Sequence, residues 1–245
     1  MLEADTIAEI MNAARTKVLV TLAPFPKTDM WDKMASIVDQ VPTLETILRI
    51  DIAGFLGVFQ KVAVNVMRIG KDNKNVRAKV LDFDKTLARY PNDRLVSGRR
   101  IQKEEIAAYF HTGGTTGMPK VAQHTYNGMI YNGWLGHELL FTEEDNVICP
   151  LPLFHVFAVH VILMAVLSSG AHVVFPTPQG YRGDGVFDNF WKLIERWKIS
   201  FIITVPTAIS ALMQRPVDAD VGSVKNAFSG SAPLQLELFK RFEAA

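Results

Sequence analysis

Apolar positions along this chain switch between two spacings: short β-branched runs, and longer stretches with a helical period. That alternation predicts an α/β fold. Residues 17–22, KVLVTL, read as a strand between two helical stretches, the amphipathic start MLEADTIAEI and the segment DMWDKMASIVDQ. The second helical stretch opens at Asp29, a residue type suited to capping, and repeats Met30, Met34, Ile37 and Val38 on one face. ETILRI (45–50) is a further strand. The polar run KDNKNVRAK (71–79) reads as a loop, and LDFDKTLARYPNDR as a short helix stopped by Pro91.

From Glu105 onward the alternation becomes regular. IAAYFHT is a strand that runs into HTGGTTGMPK, and YNGMIYNGWLGHELL is a helix following that loop. DNVICPLPL and AHVVFP are strands on either side of a long apolar helix. VFDNFWKLIERW places Phe187, Phe190, Trp191, Ile194 and Trp197 on one side of an amphipathic helix. ISFIITVP is a buried strand, Pro206 and Thr207 open the helix TAISALMQ, KNAFSGSAP is a strand and turn, and LQLELFKRFE is a last helix. Repeated β–α units with continuous apolar strands predict largely parallel sheets with helices on both faces. Two α/β subdomains are expected, residues 1–104 and 105–245, with the ligand site at the carboxyl ends of strands.

Composition narrows the class. The chain has 245 residues, 49% hydrophobic and 21% charged, which suits a globular protein and argues against disorder. A formal net charge of +1 gives no basis for a nucleic-acid partner. The cluster Arg94, Arg99, Arg100 and Lys103 is interrupted by Glu104 and Glu105 and reads as a solvated face. Cys149 is the single cysteine, which rules out an internal disulfide and fits a reducing, cytoplasmic setting. The start is acidic and has no secretory pattern. The apolar segment 153–170 carries His155 and His160 and reads as a helix buried beneath a sheet. The looser amphipathic segment 50–70 is compatible with peripheral contact at a membrane surface or with a helix packed on the domain.

The chemistry concentrates in HTGGTTGMPK. Three glycines let backbone N–H groups turn toward an anion, Thr112, Thr115 and Thr116 add hydroxyl donors, and Lys120 adds a positive charge. The spacing is not that of a Walker-type loop, because Met118 and Pro119 separate the lysine from Gly117 and Val121 follows it. Read from the residues, the loop is either a phosphate cradle or a glycine-rich turn without a ligand.

YFHTGGTTGMPK resembles the phosphate-loop signature of the AMP-forming acyl-CoA synthetases, a family that includes adenylation domains and firefly luciferase. The trailing glycine of that signature is replaced here by Val121 and Ala122. PLPLFHVFA (150–158), TVPT (204–207) and SGSAPL (229–234) resemble three further motifs, in the family's order. The resemblance implies phosphate binding by Thr112, Gly113, Gly114, Thr115, Thr116, Gly117 and Lys120. It also implies an acyl pocket at His155, Val205 and Gly230, and an adenine site at Ser231, Ala232 and Pro233. The implied reaction takes a carboxylate and ATP with Mg2+ to an acyl-adenylate and pyrophosphate, then transfers the acyl group to coenzyme A. The overall sequence is most similar to bacterial fatty-acyl-CoA ligases, so a fatty acid is the expected substrate. Without the motif context, His155 reads as a core histidine, His111 as a strand-end residue and residues 230–233 as an ordinary turn. His124, His137, His160 and His172 show no metal spacing.

The family's tyrosine-glycine-x-threonine-glutamate motif, which binds magnesium, has no counterpart in these 245 residues. Nor do its ribose-binding aspartate and its mobile C-terminal domain with the adenylation lysine. LFTEED (140–145) lacks the glycine and comes too early to substitute. The sequence therefore reads as an internal piece of such a ligase, inactive by itself. The alternative is a non-catalytic nucleotide- or acyl-binding remnant.

Overall fold

The computed structural model describes residues 2–26, 28–69, 76–112 and 120–244. They form two units, Met1–Ile101 with His111–Ala122, and Gln102–Phe110 with Gln123–Ala245. Each is a mixed α/β assembly, as the alternating pattern predicts.

In the first unit, α1 (Ala4–Ala13), β1 (Val18–Leu22), α2 (Met30–Ile37), β2 (Thr46–Ile50), α3 (Val58–Arg68), β3 (Lys79–Asp82) and α4 (Phe83–Leu87) follow one another. The strands pair in parallel in the order β1-β2-β3, with Leu19 opposite Ile47 and Ile47 opposite Val80. Helices α1 and α2 bury Ala8, Met11, Trp31, Met34 and Ile37 against the central Ile47. Asp29 occupies the first position before α2 without capping it. The Thr28 hydroxyl takes that role, accepting from the Met30 N–H at 3.2 Å, while Asp29 pairs with Lys33 at 3.3 Å. Strand β3 begins at the last residue of the run read as a polar loop. Its pairing with β2, rather than its own hydrophobicity, makes it a strand. Arg68, the last residue of α3, is buried. It donates from Nε to the Pro24 carbonyl at 2.7 Å and grips the Asp51 carboxylate with two bonds of 2.8 and 2.9 Å. This forked pair keeps Asp51 ionised and holds its pKa below the usual range.

The loop carried by HTGGTTGMPK joins two strands that pair with each other, β4 (Ile106–Thr112) and β5 (Lys120–Thr125). This corrects the expectation of a strand passing through the loop directly into a helix. Helix α5 (Tyr126–Leu139) starts only after β5, where the Thr125 hydroxyl accepts from the Gly128 N–H at 3.1 Å and caps it. A helix N-terminus therefore does not follow the glycines directly.

The second unit continues through β6 (Asn146–Ile148), a π-helix (Phe157–Met164), α6 (Ala165–Ser169), β7 (His172–Val174), α7 (Phe190–Trp197), β8 (Phe201–Thr204), α8 (Pro206–Leu212), β9 (Asn226–Ser229) and α9 (Leu236–Glu243). The four strands pair in parallel in the order β7-β6-β8-β9. Strand β6 is shorter than DNVICPLPL suggests, because Pro150 and Pro152 have no N–H to donate to a ladder. Alternate residues face opposite cores. Val147, Phe201 and Ile203 pack with Ala158, Ile162, Ala165 and Val166, whereas Ile148, Ile202 and Val174 pack with Phe190, Trp191, Ile194 and Leu212. Helix α5 lies close on the π-helix and α6, and glycines permit the approach. A Cβ on Gly136 would stand 2.0 Å from the Ala165 Cβ, and one on Gly133 would stand 2.9 Å from the Met164 carbonyl oxygen. No helix among the described residues is long and apolar enough to cross a membrane.

The amino ends of three strands of this sheet meet at Asp145, which precedes β6. Its carboxylate accepts from the Ser200 hydroxyl at 2.8 Å and the Lys225 ammonium at 2.9 Å, residues that precede β8 and β9. It also accepts from the Thr142 N–H and hydroxyl at 2.9 and 3.0 Å. Burial alone would raise its pKa, but these donors outweigh burial and bring it down to about 2. The threonine of LFTEED thus belongs to a knot at the amino ends of the strands.

Candidate functional site

At the opposite, carboxyl ends of the same strands lies an open cleft of about 440 Å3, lined by His124, Asn132, His155, Val156, Phe157, His160, Val161 and Ser231. Four elements build it. His124 comes from β5 and Asn132 from α5. The segment after β6 contributes residues from His155 to Val161, and the turn after β9 contributes Ser231. The π-helix explains the density of lining residues on one segment. Bonding from i to i+5 widens the helix, so residues four and five apart share a face. Val156, Phe157, His160 and Val161 stand at those offsets.

His155 and Ser231, drawn from two motifs far apart in the chain, are brought into this one cleft. His155 is exposed, and its Nδ1 accepts from the Phe157 N–H at 3.2 Å, which turns the ring along the start of the π-helix. Ser231 holds a left-handed backbone with φ of 68°, uncommon for a residue with a Cβ. Gly230 sits behind the lining. Its N–H donates to the Thr204 carbonyl at 3.2 Å, and a Cβ there would stand 2.7 Å from Phe157 Cζ. Only glycine lets the Phe157 ring rest on the β9 turn. Val205 is half-buried and packs with Phe157 against the core. Ala232 and Pro233 are exposed and do not line the cleft.

Thr112 ends β4 and Lys120 begins β5, and the Thr112 hydroxyl donates to the Lys120 carbonyl at 3.2 Å. Gly113, Gly114, Thr115, Thr116 and Gly117 lie outside the described residues.

The sequence reading passed over His124 and His160, since neither has a metal-ligand spacing. In the folded chain their rings lie 4.6 Å apart at 35°, and both meet the Phe110 ring, at 5.1 and 5.6 Å. His160 is 6% exposed, and among the described residues neither of its ring nitrogens has a hydrogen-bond partner; His124 Nε2 has none there either. Burial, and then the neighbouring His124 ring, lower the His160 pKa, so its imidazole is neutral at pH 7. Tyr181 has no sequence signal, and it meets the first residue of the TVPT motif. The Tyr181 hydroxyl meets Thr204 Oγ1 at 2.7 Å at the end of β8, and burial drives the phenol pKa up.

Comparison with known proteins gives this geometry its family. The AMP-binding enzyme family matches residues 1–245. A marinolic acid–CoA ligase of Pseudoalteromonas sp. (strain SANK 73390) is 29% identical over 98% of this chain and 34% of its own length. A 4-coumarate–CoA ligase of Narcissus pseudonarcissus is 34% identical over 56% of the chain and 25% of its own. Among solved structures, an anthranilate CoA ligase in complex with anthranoyl-AMP has a TM-score of 0.74 at 22% identity, covering 100% of this chain and 42% of that one. A long-chain-fatty-acid–CoA ligase from Archaeoglobus fulgidus has a TM-score of 0.71 at 16% identity, covering 98% and 40%. The chain therefore spans about a third of the length of the ligase it matches end to end. The glycine-threonine loop, the parallel α/β scaffold and the match over the full 245 residues converge on one conclusion: the chain belongs to the AMP-binding enzyme family.

Proposed function

We propose that this chain supplies the phosphate loop and the acyl pocket of an acid–thiol ligase. That ligase would join a carboxylate to ATP as an acyl-adenylate, release pyrophosphate, and pass the acyl group to coenzyme A. The observation that carries this reading is the cleft at the carboxyl ends of β6 and β9, which unites His155 and Ser231 in a member of the AMP-binding family. In this reading the backbone from Gly113 to Gly117, with Thr112, Thr115, Thr116 and Lys120, holds the phosphates that leave as pyrophosphate. Such chemistry depends on placement and on charge stabilisation. The left-handed turn at Ser231, followed by Ala232 and Pro233, offers small residues and open backbone to a flat purine. His155, Gly230 and Val205 border the acyl group, Gly230 by seating Phe157. Val156, Phe157 and Val161 make the lining apolar enough for a hydrophobic acyl body. A fatty acid is the first member of the substrate class to test.

Mg2+ and coenzyme A enter through the family alone. Among the described residues no three His, Cys, Asp or Glu side chains gather in the way a bound cation needs.

ATP–pyrophosphate exchange with a panel of fatty and aryl carboxylates, alongside direct ATP binding, tests the proposal. Carboxylate-dependent exchange that Lys120→Ala lowers by roughly tenfold or more would support it, since a charge-assisted phosphate contact would be lost. ATP or acyl binding without exchange is the outcome expected of a ligase piece that is inactive by itself. The non-catalytic remnant is favoured only if a chain extended by the family's magnesium, ribose and lysine motifs also fails to exchange. Exchange and ATP binding indifferent to Lys120→Ala would remove the assigned role of the loop.

A further inference from the structure

Helix α3 is amphipathic, but it is turned the unusual way. A helix on the surface of a domain ordinarily rolls its apolar stripe onto the core and shows its polar side to water. In α3 the buried residues are Val64 and Arg68, one turn apart. Val62 and Val66 flank Val64 at two residues' distance, about half a turn away at 3.6 residues per turn, and both are exposed. Val58 and Phe59 continue that outer face, and Phe55 and Ile69, just before and after the helix, are exposed as well. Phe55 and Phe59 are 89% and 92% exposed. A buried cation fixes the roll of the helix. Arg68 grips Asp51 with two bonds and the Pro24 carbonyl with a third, so the side held against the domain is the one that bears a charge. The apolar stripe is left outside.

We propose that α3 is a docking helix for an anionic phospholipid surface, lying among the headgroups with Phe55, Phe59 and the outer valines sunk toward the acyl chains. Charge points to that partner. Among the described residues from Ile52 to Leu81 the cations are Lys61, Arg68, Arg77 and Lys79, and there is no Asp or Glu. The whole chain, by contrast, carries a formal net charge of only +1. Lys61 and Lys79 are exposed. An apolar face with exposed phenylalanines beside basic residues is the composition of helices that lie in a membrane interface, and cations near that surface are attracted to anionic headgroups. Shape and area argue against a second copy of the chain. The 11 residues of α3 make a rod about 16 Å long and about 10 Å wide, so its convex stripe offers on the order of a few hundred Å2, below the roughly 800 Å2 per partner of a stable interface. A bilayer accepts a convex ridge, because its acyl chains rearrange around it. Helix α3 is too short to span, so it lies on the surface rather than across it. This surface goes beyond the ligase reading and does not depend on it.

The test measures sedimentation of the full chain with vesicles of phosphatidylcholine alone and of phosphatidylcholine mixed with phosphatidylglycerol. Binding to the mixed vesicles is expected, with weaker binding to the neutral ones. Phe55→Ser together with Phe59→Ser should weaken binding to the mixed vesicles by roughly tenfold or more, since the two largest inserting side chains are lost. Both positions are exposed, so thermal unfolding of this double variant should match the wild type; Val62→Gln takes its place if it does not fold. Lys61→Gln should lower the preference for anionic vesicles by about a few fold. Phe59→Trp gives a readout that adsorption by charge alone does not move. Its fluorescence should be quenched by phospholipid brominated on the acyl chains, beyond the quenching of the wild-type tryptophans. Absence of binding to the mixed vesicles, binding that the double variant leaves unchanged, or a Phe59→Trp signal indifferent to bromine overturns the proposal. A dimer that forms without lipid and is lost in the double variant also overturns it, by giving the face to a second copy. ATP binding and exchange are read separately, so each of these failures leaves the ligase reading standing.

Discussion

The two parallel sheets of this protein use the same strand chemistry differently. In the second unit, helices cover both faces of the sheet. Ile202 and Ile203 are neighbours on β8, yet each reaches a separate core, and every residue of that strand is buried. In the first unit, α1 and α2 cover one face only. Leu19 packs inward, while Val18 and Val20 on the same strand are 52% and 47% exposed. A sheet held between two cores cannot shift one strand without disturbing both. That makes it a firm base for a cleft at its carboxyl ends, and Asp145 ties the other end. A sheet with one open face tolerates more variation.

The largest effect expected from this contrast is at β8. Ile202→Ala should cost about 2–5 kcal/mol, the range for emptying a fully buried aliphatic site. Urea unfolding would measure it, and a loss under 1 kcal/mol would mean that the second core is not as closed as its packing shows. Next comes the α5 contact. Gly136→Ala places a methyl against Ala165 with no room to accommodate it, so about 1–3 kcal/mol of overpacking is expected. A stabilising result would contradict the close approach.

The Asp145 knot gives a pH signature. Its pKa is depressed in the folded chain, so its contribution is present above the unfolded value near 4 and disappears as the pH falls toward about 2. The size is on the order of 2 kcal/mol. The stability difference between the wild type and Asp145→Asn should therefore be large at pH 6 and small near pH 2. A difference that does not change over that range would show that the carboxylate charge is not what joins the strand starts. The smallest effect is expected on the open face of the first sheet. Val20→Thr should change stability by no more than about 0.5 kcal/mol. A cost near that of Ile202→Ala would abolish the contrast between the sheets.

Much of the scaffold was legible in the chain, and the misses have definable causes. The strand KVLVTL, the buried strand FIIT and the helix opened by Pro206 follow from local spacing and from the fixed φ of proline, and all three stand where expected. Strand β5 was hidden because KVAQHT is polar and borders a loop; Thr125, acting as a helix cap, was the available sign that α5 begins later. Asp29 had the right residue type for a cap, but Thr28 won the bond. The motif residues were legible as well, yet Ala232 and Pro233 do not join His155 and Ser231 in the cleft lining.

What the sequence determined by itself is most of the order and type of elements, the parallel α/β class, the glycine-threonine loop and the family. These rest on periods of two and of about 3.6 residues, on caps and prolines, and on contiguous motifs, all of which act within a few positions. Only the tertiary structure decided that His124, His155, His160 and Ser231 share one cleft. Their meeting depends on parallel pairing, which lines up the carboxyl ends of β6 and β9. It depends also on the helical segment after β6, which presents His160 on the same side as Val156 and Phe157.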